Sequence, residues 1–367
     1  MKVSVSRLLA AFSSLGLLTL ALGCATTAPP PKLVKPVWPD APQKPRIQFV
    51  TGLRSKEDLP QKKSFGSKLQ EAAFGTNDIA YVYQPSGLAI SDDGKRLYVA
   101  DWVRGYVVVF DFEGNATRVI GGPDSDHALS SPFSVALDSS ENVYAVEKDD
   151  KVVKVYDKSG KFLRAITTLG TEPFERPTGL AIDKKRDLLY VSDSSHVNSL
   201  NHRIFVFTTG GTFVRFIGTR GNIDGAFNVP TFLYVDDDGK LYVSDSLNFR
   251  IQIFDPEGKF LAKFGQQGDA PGYFSKIKGI AKDSFGNIHV VDAGMSGVTL
   301  FNAKFQALLI FGGYSARPGY FQGPTAIAID KSNRIYVADN LSARINVYQL
   351  LQTRPEESFE EPEAPKK

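Results

Sequence analysis

One cysteine occurs in 367 residues, and histidine (4), methionine (2) and tryptophan (2) are nearly as scarce. A single thiol excludes an intrachain disulfide, a cysteine-built zinc site and a CxxCH haem attachment. The histidines are His127, His196, His202 and His289. His196 and His202 share one loop, but two imidazoles without a third ligand do not make a zinc centre. Charge of one sign is lacking too. There are 43 basic and 40 acidic side chains, and losing Lys2 and Arg7 with a cleaved leader leaves 41 against 40. So even a balance gives no phosphate-seeking surface, which excludes nucleic acid as a partner. The apolar run from Leu8 to Leu22 is shorter than the ~20 residues a spanning helix needs.

What is present at the N-terminus is a secretory leader. Lys2 and Arg7 precede the apolar run, and Ala-Leu-Gly-Cys follows at Ala21 to Cys24. Gly23-Cys24 matches a lipobox, with Ala21 where leucine is usual, and Cys24 is the only cysteine available. The expectation is a lipoprotein with signal peptide 1–23 and acylated Cys24, each buried methylene contributing about 0.8 kcal/mol to anchoring. Ala25 resembles an outer-membrane sorting residue, so the mature chain is expected on the outer membrane, facing the periplasm or the surface. Residues 24–44 carry Pro29, Pro30, Pro31, Pro36, Pro39 and Pro42 and read as an extended tether. Its Trp38 either docks elsewhere or packs on the domain that follows. Residues 352–367, rich in proline and glutamate, read as a disordered acidic tail.

Between tether and tail one unit recurs six times: an apolar strand such as Gly87-Leu88-Ala89-Ile90, a polar turn, then a strand such as Leu97-Tyr98-Val99-Ala100-Asp101. A third strand, an Asp-x-x-Gly turn and a fourth strand ending in glycine complete it. The acidic residue closing the second strand falls at Asp101, Glu147, Asp193, Asp245, Asp292 and Asp339. The spacing is 46 or 47 residues except for one step of 52, where the third unit carries an insertion between Ser194 and Arg203. Four short strands per unit at this period predict an all-β, six-bladed propeller of four-stranded antiparallel blades over residues 45–351. The sixth unit has three strands, and Arg46 to Gly52 resembles the missing fourth. An N-terminal strand closing the last blade would remove two exposed edges. Ser64 to Phe74 reads as one short helix before the first blade.

These units resemble NHL repeats across roughly residues 84–351. The run Val37-Trp38-Pro39 to Pro45-Arg46-Ile47, followed by Lys63-Ser64-Phe65, also resembles a group of bacterial propeller lipoproteins, some of them encoded near genes for exported multihaem cytochromes. The first unit, Pro85-Ser86-Gly87-Leu88 to Asp101, is similar to a blade of the gluconolactonase-type propellers. That resemblance implies a divalent metal at the axis, held by glutamate, asparagine and aspartate. Here the asparagine slot reads Ser86, Ser134, Thr178, Thr231, Lys278 and Thr325, and no glutamate precedes a first strand near the axis.

The six acidic residues would ring one face, either as a cation site or as structural anchors. Asp193 with Arg203, Asp245 with Arg250 and Asp339 with Arg344 lie across the same hairpins, which favours anchoring pairs. The sequence thus shows no catalytic set, metal site or cofactor. It predicts a monomeric, membrane-tethered binding scaffold, not an enzyme. Its partner would be an envelope protein, an exported electron-transfer complex or multihaem cytochrome among the options. The alternative is a metal-dependent lactonase-like or lyase-like enzyme. The face expected to meet a partner comprises Trp102, Arg104, His196, His202, Phe249, Met295 and Leu341. Cys24→Ser should abolish incorporation of labelled palmitate; unchanged labelling would exclude the lipobox.

Overall fold

The computed structural model describes residues 35–60, 80–168, 172–195 and 199–351. The leader, Cys24, most of the tether, the helix expected at Ser64 to Phe74 and the tail lie outside the described residues, as does His196.

The second and third strands of each unit are almost wholly apolar, and the reason is burial on both faces. Leu97, Val99, Val108 and Phe110 of the first blade are fully buried, packed with Tyr336, Ala338 and Val347 of the sixth. Their intervening neighbours Tyr98, Ala100, Val107 and Val109 pack the other way, against Val135, Val143 and Ala145 of the second blade. Six such apolar cores result, each shared between sheets. The fourth strands Phe162–Ile166, Phe213–Ile217 and Phe260–Phe264 instead alternate between half-buried and exposed. They are outer edges, with solvent along one side.

Five sheets of four antiparallel strands run in sequence order, and a sixth has five strands. This is the six-bladed propeller that the repeat predicts. In the sixth blade Ile47–Leu53 pairs with Arg344–Leu350, register Ile47↔Leu350 to Leu53↔Ile345, outside Arg334–Asp339 and Pro324–Ile329. Closure by the N-terminal strand therefore holds, and the Leu351 N–H donates to the Arg46 carbonyl at 2.8 Å.

The tether ends earlier than its prolines suggest. Val37–Trp38 adds a short fifth strand beyond Ile47–Leu53. Trp38 is buried, with its ring 5.8–6.0 Å from those of Phe311, Tyr320 and Tyr348. An aromatic hole between the fifth and sixth blades captures it, so the described part of the tether belongs to the fold.

The loops from each fourth strand to the next first strand are built rigidly. In three of them a buried phenylalanine (Phe227, Phe274, Phe321) tucks beneath the glycine ending the preceding strand. Gly265, at φ +89°, shows why: a Cβ there would run into the ring of Phe274. Trp38→Ala should lower unfolding free energy by about 3–5 kcal/mol in urea titration. A midpoint equal to that of the unsubstituted chain would show that Trp38 does not hold the last blade.

Candidate functional site

Each first strand starts opposite the end of its blade's second strand: Pro85↔Asp101, Pro132↔Glu147, Pro177↔Asp193, Pro230↔Asp245, Ile277↔Asp292 and Pro324↔Asp339. These pairs mark the upper face, where the fourth-to-first and second-to-third loops meet. One residue further in, by register, stand Ser86, Phe133, Thr178, Thr231, Lys278 and Thr325 around the axis. Phe133, not Ser134, fills the slot in the second blade. The serine lies one residue deeper, opposite Val146, and reading by residue type displaced the register by one.

Below this ring the axis closes. Leu88, Val135, Leu180, Phe232, Ile280 and Ile327 line only a small central cavity of about 40 Å³. Beyond that waist the lower face opens again, into a cavity of about 440 Å³ lined by Asp92, Asp236, Asp237, Asp330, Lys282 and Lys331 among others. Its deeper carboxylates are committed. Asp236 accepts from Lys282 at 2.9 Å, and Asp330 takes the N–H groups of Ser332 and Arg334 at 2.9 Å each.

The six acidic residues of the upper face are all essentially buried. Each accepts backbone N–H groups from the loop that leads into its own first strand. Asp101 takes Tyr83 (2.6 Å) and Gln84 (3.0 Å), and Glu147 takes Ser130 (2.9 Å) and Ser131 (3.2 Å). Asp193 takes Glu175 and Arg176, and Asp245 takes Asn228. Asp292 takes Ser275 and Lys276, and Asp339 takes Gln322 and Gly323. Burial raises the carboxyls of Asp193 and Asp245 above the ordinary range, with these N–H donors opposing it.

The arginines opposite them behave differently from one another. Arg250 pairs with Asp245 at 2.8 Å, whereas Arg344 stands 4.0 Å from Asp339. Arg203 turns away from Asp193 to pair with Glu172 at 2.5 Å, its guanidinium 4.1 Å above the Phe216 ring. Glu172 and the Phe216 face offer that cation more than a carboxylate already occupied by two amides.

Of the residues expected to face a partner, Leu341 is 67 % exposed and Trp102 40 %. Arg104 stacks on Tyr81 and Tyr83, 4.2 and 5.1 Å from their ring centres. Phe249 (left-handed, φ +53°) and Met295 are partly buried. His202 is fully buried and its Nδ1 accepts the Val229 N–H at 3.1 Å, so it does not face a partner. It closes the base of the insertion in the third blade, where a polar residue near a loop end was mistaken for surface. The insertion itself is gathered on one carboxylate: Glu175 accepts from Ser195, Ser199 and Asn201. Exposed Ile223 and Tyr314 belong to the fourth-to-first loops, which the sequence reading passed over.

Lys278 is the one charged member of the axial ring. Burial, and secondarily the like charge of Lys276, lowers its ammonium to about 8. The ring does not fit a divalent metal, since hydroxyls, an aromatic ring and an amine replace carboxylate and amide donors. The acidic residues nearby are consumed by amides, and no group of three metal-capable side chains occurs among the described residues.

Residues 75–192 match a family model described as SMP-30/Gluconolactonase/LRE-like region, and residues 228–308 one described as 6-bladed beta-propeller. Among solved structures the chain is similar to a gluconolactonase from Xanthomonas campestris at 16 % identity and TM-score 0.57, covering 82 % of this chain and 98 % of that one. It is similar to virginiamycin B lyase from Staphylococcus aureus at 15 % identity and TM-score 0.53, covering 73 % and 95 %. A protein of unknown function from Bacteroides thetaiotaomicron matches at 17 % identity and TM-score 0.58, covering 83 % and 75 %. At such identities the structural likeness shows the fold. The family match over the first two blades and into the third, with enzymes among these neighbours, corrects the expectation that the chain is not an enzyme. The expectation rested on the lack of a convergent catalytic or metal-ligand set, and an axis without metal donors can still carry a base or nucleophile.

A hydrogen bond from the Ser195 hydroxyl above all holds the Glu175 carboxyl below its ordinary range; burial opposes it, and Ser199 and Asn201 add smaller lowering contributions. Its clamp is therefore complete above the ordinary carboxyl range and is lost as pH falls through the lowered value. Proteolysis within residues 199–201 should accelerate in that acid window, and at neutral pH in Glu175→Ala. Equal cleavage rates for both chains at neutral pH would remove the clamp.

Proposed function

We propose that this chain is a propeller enzyme that opens small cyclic esters at its upper axial mouth while held at the cell envelope by acylated Cys24. The observation that carries this reading is the match of residues 75–192 to the gluconolactonase-like family. Three features support it. The fold blocks the axis at an apolar waist, so a ligand that enters the upper mouth is stopped there rather than passing to the lower face. The upper ring holds one half-buried amine, Lys278, among hydroxyls that are bonded within the fold, which leaves the amine as the polar group for an ester. The NHL-like spacing leaves the loops around that mouth free to differ while the blades stay constant.

No metal step belongs to this proposal, because the donor set at the axis does not fit one. The test is hydrolysis of five- and six-membered lactones by the acylated chain in detergent, followed by acid release, with and without chelator. Rates well above the uncatalysed reaction and indifferent to chelator are expected. No acceleration on any lactone would overturn the reading, and loss of rate with chelator would overturn its metal-free part.

A second reading has its own observation. Leu200, Ile223, Tyr314 and Leu341, each at least two-thirds exposed, stand with Trp102 on the upper face. So much uncovered apolar surface suits an envelope protein partner, with a multihaem cytochrome as one option. If this reading holds, Trp102→Ala and Leu341→Ala weaken capture of that partner by about 1–3 kcal/mol without lowering the melting temperature.

A further inference from the structure

Six residues occupy equivalent positions around the upper axis, and most of them have plain structural work. The Ser86 hydroxyl donates to the Pro132 carbonyl of the next blade at 3.1 Å, and that of Thr325 to the Pro85 carbonyl at 3.1 Å. Thr231 shares a hydrogen bond with Ser246 at 2.6 Å. Thr178 meets Ser192 and Ser194 at 3.0 and 3.1 Å. These hydroxyls latch blades or loops together. Phe133 lies 6.2 Å from Phe232, which blocks the waist below.

Lys278 breaks the series. Its backbone carbonyl accepts the Ser244 hydroxyl at 2.6 Å, which is structural, but its head group is different. Nζ lies 5.9 Å from the centre of the Phe232 ring, and no hydrogen bond or ion pair among the described residues reaches it. The charged groups at this end of the neighbouring strands are Asp245, Asp292 and Asp339. All three are taken up by amide donors, and Asp245 by Arg250 as well. Lys276, on the approach to the same strand, repels. A half-buried cation with an aromatic floor and no anion partner is costly to keep. A threonine at the same position satisfies three other blades.

We propose that Lys278 is the general base of this protein, accepting a proton at Nζ from the water that attacks an ester carbonyl held at the upper mouth. The assignment of an ester rests on the enzymatic reading above; the reactivity of the amine does not. In the step, the oxygen of a water molecule adds to the carbonyl carbon as one of its protons passes to Nζ. The tetrahedral intermediate then expels the ring oxygen, the acyl C–O bond breaks, and the ammonium returns its proton to the departing alkoxide. A lactone and water become a hydroxy acid, whose carboxyl proton is released to solvent. An amine lowered to about 8 is roughly one-quarter neutral at pH 7.5. An ordinary lysine is about 0.1 % neutral there, so the reactive form is enriched on the order of two hundredfold.

The test needs two readouts on the full chain. Competitive labelling with an amine-reactive anhydride across pH 6–11, read peptide by peptide, should give Lys278 a midpoint near 8 while exposed lysines titrate near ~10.4. Lactone turnover should fall by about 10²–10⁴-fold in Lys278→Thr, the residue that Thr178, Thr231 and Thr325 show the fold accepts, and in Lys278→Met. Both variants should keep the melting temperature, and the limb of the pH–rate profile near 8 should vanish. An ordinary labelling midpoint for Lys278 overturns the proposal. So does unaltered turnover in both variants, which leaves the lactone reading standing with a different base. If Lys278 titrates near 8 while the unsubstituted chain opens no lactone, the enzymatic reading fails together with the ester assignment, and only the reactive amine remains.

Discussion

A buried carboxylate at the end of each second strand, turned back to collect the N–H groups of the loop entering the same blade, organises this molecule. The loop between blades must leave the outer edge of one sheet and drop to the inner edge of the next. Its backbone donors would otherwise be buried without acceptors at that point. Asp101, Glu147, Asp193, Asp245, Asp292 and Asp339 supply the acceptors. Each thereby fixes where its first strand begins and so which residue follows at the axis. The desolvation cost of the charge is opposed, and at Asp193 and Asp245 only in part, by charge-assisted hydrogen bonds such as the 2.6 Å contact of Asn228 with Asp245. The same commitment removes these carboxylates from chemistry. The upper face is ringed with acid and yet offers little free acid to a ligand.

The fold was legible because it is written six times. Period, strand pattern and the closing strand at Ile47–Leu53 all follow from in-register repetition, and the structure bears them out. What was not legible lies where repetition gives no guidance. Trp38 sits in a proline-rich stretch whose composition says tether, and only the aromatic hole of Phe311, Tyr320 and Tyr348 decides otherwise. Arg203 has the same position in its repeat as Arg250 and Arg344, but a local carboxylate and an aromatic face redirect it. His202 reads as a loop histidine, and its burial depends on the fold of the insertion above it.

The site shows the same division. Lys278 is visible in the sequence as the odd member of its column, between residues that are otherwise hydroxyl-bearing or aromatic. Its significance is not visible there. It requires knowing that Asp292 is spent on Ser275 and Lys276, that Phe232 seals the axis below, and that no anion reaches Nζ among the described residues. A repeat protein makes such a departure informative. Five blades show what the position needs for packing, and the sixth shows what was added.

The strand pairing that closes the ring also has a temporal side. On its inner side Ile47–Leu53 pairs with Arg344–Leu350, so the sixth sheet joins segments separated by almost the whole propeller. Elsewhere strands pair with sequence neighbours and can assemble as they appear. This one contact must wait for the last of the chain, a loop closure of the kind that slows folding more than it alters stability. Until then Ile47–Leu53 has only the short Val37–Trp38 strand beside it, and the last sheet lacks its edge. Such a polypeptide is an open chain of blades until its last strand is made, and a ring only afterwards.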